Sequence, residues 1–379
     1  MRFYIIRRFA HEFRVIIATF APYTHYIPAK MKKNLFTLLF MAVALSSAAM
    51  LVSCSKDDDI IDPKPAFVSE FGYKIVPQEE AKQYFLHEKL HEQITPYFID
   101  LAMQRQDVPH DEWLDLTLRS IQNPMEEWQA YLDSIARVQS DRLRSMGLSL
   151  PIPKQIELID MEMETFGGTV AAFTSGTRIY ANMKNFRWYD EVEPGMGEDI
   201  LWHEMWHVIS RNNPELRKKM FALIGFNVLP DEVEIPAEVK AHILCNPDVE
   251  RHDSYATFNI NGKPTDCMLL LYAEEDKLSS FVLLNYLATS KGYWLLALDS
   301  VNHKPYCDEK GKWVIYNCTE AEDFDKVMSG GNTYYCDDPE ECMADNFAYA
   351  MMTDTNCPNQ KLLQDIRDLM MFEYLSAGR

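Results

Sequence analysis

The sequence predicts an α+β protein, in which a small mixed sheet and one chemistry-bearing helix lie between helical amino-terminal and carboxyl-terminal layers. Three observations predict it. Apolar residues recur at three- and four-residue spacing up to about Met146, the period shifts to two between Gln155 and Asn182, and apolar helical stretches return from Met196 and again from Pro339. With 47% hydrophobic and 25% charged residues among 379, the chain can bury a real core, which excludes disordered and fibrous classes. Acidic residues outnumber basic ones 57 to 37, and the first 54 residues hold Arg2, Arg7, Arg8, Arg14, Lys30, Lys32 and Lys33 against Glu12 alone. The remaining body is therefore strongly anionic and repels phosphate backbones, so no nucleic-acid partner is expected.

The amino terminus reads as an address. From Met31, Lys32-Lys33 is followed by an uncharged stretch from Asn34 to Ser53 rich in Leu, Phe, Ala and Met, ending in Leu51-Val52-Ser53-Cys54. It resembles a bacterial lipoprotein signal peptide, which makes Cys54 the lipidated first residue of the mature chain. The competing expectation is an anchor retained as a transmembrane helix, since about 20 apolar residues span a bilayer. Residues 1–30 read as an over-extended start, with Met31 the true one. Residues 55–69, with Asp57-Asp58-Asp59, Pro63 and Pro65, read as an acidic tether. The Ser55-Lys56-Asp57-Asp58-Asp59 run is similar to the export tag of surface lipoproteins in the Bacteroidetes group.

Residues 70–150 are expected to form the helical layer, interrupted near Pro96, Pro109 and Pro124. Residues 151–379 follow as one domain. Gln155 to Met163 alternates, and Thr169–Phe173 and Arg178–Asn182 flank Ser175-Gly176 as a hairpin. Helices are expected at about 196–209 and 214–223, short strands at 255–260, 268–272 and 313–316, and two closing helices at 339–352 and 359–375.

The pattern HExxH on a helix puts two histidines one turn apart on one face, where both can reach a metal while the intervening Glu addresses a water. It occurs twice. His87-Glu88-Lys89-Leu90-His91 lies on a polar face, whereas His203-Glu204-Met205-Trp206-His207 is flanked by Ile200-Leu201-Trp202 and Val208-Ile209 and is the preferred site. A catalytic zinc takes three protein ligands, and Ser210 and Asn213 occupy the places of an extended motif. The third ligand is expected from the helix at 339–352, where Glu341 and Asp345 stand one turn apart. Glu341 then binds metal, and Asp345 accepts the far N–H of a ligand histidine. Glu340, Asp345, His242 and His252 are the competing ligands.

At these residues the chain resembles the gluzincin metallopeptidases, in which HExxH is completed by the Glu of an ExxxD helix, as in thermolysin and neprilysin; the stretch from His207 to Glu341 is longer than in those families. With its lipoprotein signal it also resembles the substrate import-associated zinc metallohydrolase lipoproteins of Bacteroidetes. The resemblance implies a zincin-like fold, a Zn2+ cofactor, a peptide or protein substrate, and a lipid anchor at Cys54 in the outer membrane, at the cell surface or its periplasmic face, beside an importer. A zinc there polarises the scissile carbonyl and acidifies a water whose proton Glu204 accepts. Tyr335 is the expected oxyanion donor, with Tyr334 second, and the strand at 178–182 is the expected edge for an extended peptide. Alternatives are a non-catalytic nutrient-uptake component with a structural metal, and a hydrolase of a non-peptide amide. Cys307 and Cys318 are the expected disulfide.

Overall fold

A computed structural model describes residues 66–377, apart from residues 89, 91–93, 168–170, 276, 279–280, 282–291, 329–330, 334 and 336–337. Cys54, the signal segment, most of the tether, His91 and Tyr334 lie outside the described residues. The chain runs through β1 (Phe67–Val68), β2 (Gly72–Ile75), α1 (Gln78–His87), α2 (Pro96–Ala102), α3 (His110–Ser120) and α4 (Glu126–Met146). Next come β3 (Leu150–Pro151), β4 (Gln155–Asp160), β5 (Ala172–Ser175), β6 (Arg178–Ala181), α5 (Met183–Val192), α6 (Met196–Asn212) and α7 (Pro214–Leu223). The remainder is β7 (Asn227–Val228), α8 (Ala237–Lys240), β8 (Ser254–Ile260), β9 (Lys263–Leu271), β10 (Tyr293–Ala297), β11 (Ile315–Asn317), α9 (Phe324–Met328), α10 (Pro339–Met352) and α11 (Gln360–Ala377). This is an α+β architecture. Among the described residues no helix is long and apolar enough to cross a membrane.

The prolines act where the sequence places them. Pro96 opens α2, Pro109 caps α3 and Pro214 opens α7, each at a position that needs no helical N–H. The expected tether ends earlier than residue 69, because Phe67 and Val68 pair antiparallel with Pro151 and Leu150. The expected helical layer also supplies a strand: β2 runs parallel to β4, with Tyr73 opposite Ile156, and Tyr73 is buried. Residues of α4 such as Leu132 and Leu143 share one apolar core with Trp202 and Trp206 of α6, so segments 70–150 and 151–379 pack as one body.

The first sheet is mixed, in the order β2-β4-β6-β5. β5 and β6 close a two-residue hairpin at Ser175 and Arg178, with Gly176 at φ 57°, where a Cβ would be strained. This order corrects the expected peptide edge. The strand at 178–181 is interior, hydrogen-bonded to β4 and β5, and among the described residues the outer strands of the sheet are β2 and Ala172–Ser175. A second sheet, β11-β10-β9-β8-β7, is antiparallel throughout and larger than the short strands expected for residues 228–318. The run Tyr293-Trp294-Leu295-Leu296-Ala297 gives no alternating signal because β10 lies between β9 and β11 with Leu295, Leu296 and Ala297 all buried.

The expected disulfide is absent. Cys307 is exposed and pairs through its backbone with Trp313 in a tight loop, while Cys318 begins a turn beyond β11 and is buried. At the first HExxH, α1 ends at His87 and Glu88 takes an extended backbone at ψ 139°, and His91 lies outside the described residues. Glu88 instead meets Arg178 at 3.4 Å in the protein interior, where burial pushes its carboxyl up to about 7.

Candidate metal centre

Helix α6 is the spine of the site. Asp190 of α5 accepts the N–H groups of Gly195 and Gly197 at 3.1 and 2.9 Å, capping the otherwise unsatisfied first turn of α6. Glu198 follows in that turn, paired to Arg142 of α4, and Arg211 closes the last turn, both in accord with the helix dipole. Trp202 and Trp206 pack the face beside the histidines against Phe347 of α10, with ring centroids 6.3 and 5.8 Å apart. Helix α10 begins with the pattern read from its sequence, Asp338 accepting Glu340 N–H at 2.8 Å and Pro339 at the first helical position.

Packing α10 on α6 brings His203, His207 and Glu341 into one buried group that could hold a metal ion. Glu341 Oε2 lies 3.0 Å from His203 Nε2, and Oε1 lies 3.9 Å from His207 Nε2. Asp345 stands behind His203, its Oδ1 3.0 Å from Nδ1, and is itself held by Thr333 Oγ1 and, at 3.4 Å, by the Tyr349 hydroxyl. The residues fit a cation. His207 has no exposed surface, Glu340 Oε1 accepts from its Nδ1 at 3.3 Å, and Nε2 is left with a lone pair and no hydrogen bond. A buried nitrogen in that state is costly unless something else occupies the space before it.

Charge at the centre follows from burial and close carboxylates. Burial disfavours charge on His203, but Asp345 and Glu341 outweigh it and raise its pKa; burial lowers that of His207. Glu204 is pushed up to about 8, first by burial and then by the neighbouring charge of Asp248. Its Oε2 accepts from Thr174 Oγ1 at 2.7 Å, which ties the carboxyl to the edge strand β5. Tyr335 stacks near His203 with centroids 6.1 Å apart, and its hydroxyl accepts from Asn246 Nδ2 at 3.3 Å. His242 lies apart from the group, between Tyr97 and Tyr272 with Nδ1 against Ala273 O at 2.9 Å.

His252 also lies apart, half-buried, with neither of its shielded ring nitrogens hydrogen-bonded among the described residues. Burial lowers its pKa to about 4, against an ordinary 6.5. The unfolded chain therefore takes up this proton first, so the contribution of neutral His252 to stability is complete above about pH 6.5 and is lost as pH falls toward 4. On that shift, urea unfolding at pH 4 and 7 is expected to show His252→Leu losing about 3 kcal/mol less than the wild type over this interval. Equal losses would remove His252 from the acid response.

Several supporting residues escaped the sequence reading. Glu340 was a rival ligand there; here it turns away from Glu341 to receive His207, Ser210 Oγ and Arg217 Nε, the last at 3.0 Å. Arg217 in turn donates to Asp253 at 2.8 Å, and the buried chain of charges holds Glu340 at about 2 against the opposing effect of burial. Glu340→Ala leaves buried Arg217 with Asp253 as its remaining partner and His207 Nδ1 without its acceptor, and is expected to cost about 3–5 kcal/mol in denaturant unfolding. A loss below 1 kcal/mol would show that the network relaxes freely. The paired acids Glu340-Glu341 carried a signal for two roles on two helix faces, whereas Thr174 and Asp248 carried none.

Compared with known proteins, the chain matches no family model, no curated protein and no solved structure.

Proposed function

We propose that the protein is a zinc-dependent hydrolase, a peptidase of gluzincin type with a zincin-like core, exported and lipid-anchored through Cys54 to the outer membrane, where it works on a peptide or protein substrate beside an importer. The observation that carries this reading is the convergence of His203, His207 and Glu341, whose buried His207 Nε2 has no hydrogen bond among the described residues, with Glu204, a carboxyl on the same helix outside that trio. A structural metal has no use for such a base. His203, His207 and Glu341 would hold the zinc, which when bound polarises the scissile carbonyl and activates water.

The chain's own groups then divide the work. Glu204, steadied by Thr174, accepts the water proton and returns it to the leaving amine. Asp345 and Glu340 fix the two imidazole rings by their Nδ1 atoms. Tyr335, beside His203, is placed to donate to the developing oxyanion. The edge of β5 replaces the interior strand at 178–181 as the place where an extended backbone would pair.

One observation favours the second reading, a nutrient-uptake component with a structural metal: Glu204, His207 and Glu341 are all buried. The separating experiment is zinc content of the purified protein together with cleavage of a mixed peptide library. Zinc with new peptide amino termini supports the hydrolase. Zinc without cleavage leaves the structural reading, and no zinc overturns both.

A further inference from the structure

Tyr335 is held at both ends. Its backbone N–H donates at 3.0 Å to Thr333 Oγ1, the hydroxyl that also holds Asp345 behind His203. Its own hydroxyl oxygen accepts from Asn246 Nδ2 at 3.3 Å. Asn246 is buried and opens a turn, Asn246 to Glu250, that is fixed to both sheets. Just before it, Leu244 N–H donates to Leu271 O of β9 at 2.8 Å; just after it, Asp248 Oδ1 accepts Thr174 N–H of β5 at 2.7 Å. Pro247 removes one of the torsions between these anchors.

The turn also decides which way the Asn246 amide faces. Its Oδ1, the one acceptor of the amide, receives Asp248 N–H at 2.8 Å, and Val249 N–H closes the turn on Asn246 O at 3.1 Å. Rotating the amide would set two donors, Nδ2 and the Asp248 N–H, against each other, so Nδ2 is the atom presented to Tyr335. An amide nitrogen of this kind can only donate. The phenol oxygen therefore accepts on that side, and its proton is given elsewhere. Donation into a hydroxyl polarises its O–H bond and makes it the stronger donor.

We propose that Asn246 is a positioning residue for the hydrolysis: it sets the Tyr335 hydroxyl as an acceptor toward the turn and so commits the phenol proton to the oxyanion that forms on the substrate carbonyl. This rests on the reading of the centre as a zinc hydrolase with Tyr335 as oxyanion donor. The same turn reaches the other side of the reaction through Asp248, which holds Thr174, the residue that steadies Glu204. Base and oxyanion donor are thereby referenced to one short turn, which fixes their separation before substrate arrives.

The test measures kcat, KM and zinc content with the peptide cut fastest from the mixed library, for wild type, Tyr335→Phe, Asn246→Asp and the double variant. Asp keeps the Oδ1 that receives Asp248 N–H, so the turn stays closed, but it faces Tyr335 with an acceptor that draws the phenol proton to itself. Tyr335→Phe is expected to lower kcat by about 10²- to 10³-fold, the worth of one oxyanion donor. Asn246→Asp is expected to lower it by about 10²-fold, with KM and zinc content near wild type, and to add little in the Tyr335→Phe background. Asn246→Ser, which keeps a short acceptor for Asp248 N–H and does not reach the phenol, is measured alongside and is read the same way if the Asp variant does not fold. Losses that multiply in the double variant, or a kcat that falls in Tyr335→Phe and in neither Asn246 variant, overturn the role of Asn246 and leave the hydrolase standing. An unchanged Tyr335→Phe overturns it together with the oxyanion assignment, and a wild type that cleaves no peptide overturns the hydrolase as well.

Discussion

Glu204→Gln is expected to keep its metal and lose hydrolysis by about 10²- to 10⁴-fold, the span that a positioned general base contributes. The amide has the size of the carboxyl and can still meet Thr174 Oγ1, so the packing of α6 against β5 is preserved. It cannot accept a proton. Because Glu204 lies outside the group formed by His203, His207 and Glu341, zinc content should remain at the wild-type level. The check is a steady-state rate on a cleaved peptide beside a metal assay. Undiminished turnover would remove Glu204 from catalysis, and joint loss of metal and rate would place it among the ligands.

Glu341→Gln is expected to strip the centre, and with it much of the protein's heat resistance. Metal that binds only the folded chain adds stability according to its occupancy, about 4 kcal/mol when the free ion stands at 1,000 times its dissociation constant. For a chain of this size that corresponds to a melting temperature higher by roughly 8 °C. Zinc should raise the melting temperature of the wild type by this order, a chelator should reverse it, and neither should move Glu341→Gln. His87→Ala is the control, since its helix ends before a second histidine could join it. A zinc shift that survives in Glu341→Gln, or vanishes in His87→Ala, would contradict the assignment.

The two HExxH patterns show how far sequence alone reaches. What separated them was their flanks: the polar face around His87 reads as a solvated helix with an accidental spacing, and the uncharged run around His203 as a helix apolar on both sides. The structure has α1 stopping at His87 and α6 continuing to Asn212. Periodicity and proline placement were enough for α6 because helix formation depends on near neighbours, whereas the stop of α1 at His87 was not read from the sequence. The ends of α7 and α10 were legible for the same reason, from Pro214 and from Asp338-Pro339. The antiparallel hairpin was legible from its turn.

Strand order was not. Nothing near Arg178 tells whether its strand is interior or at the edge, because that depends on β4, a partner joined through the sheet rather than through the chain. β10 was missed for a related cause, since a strand covered on both faces loses the alternation that betrays it. The sequence by itself determined the residue types, the one-turn spacing of His203 and His207, and the helices that present them. Only the tertiary structure decided that Glu341 meets both imidazoles while Glu340 turns to Arg217, and that Asn246 meets the Tyr335 hydroxyl from a turn held against β5. Local rules fix a side chain's direction from its own helix; what it points at is set by the packing of elements far apart in the chain, through contacts that no short stretch of sequence contains.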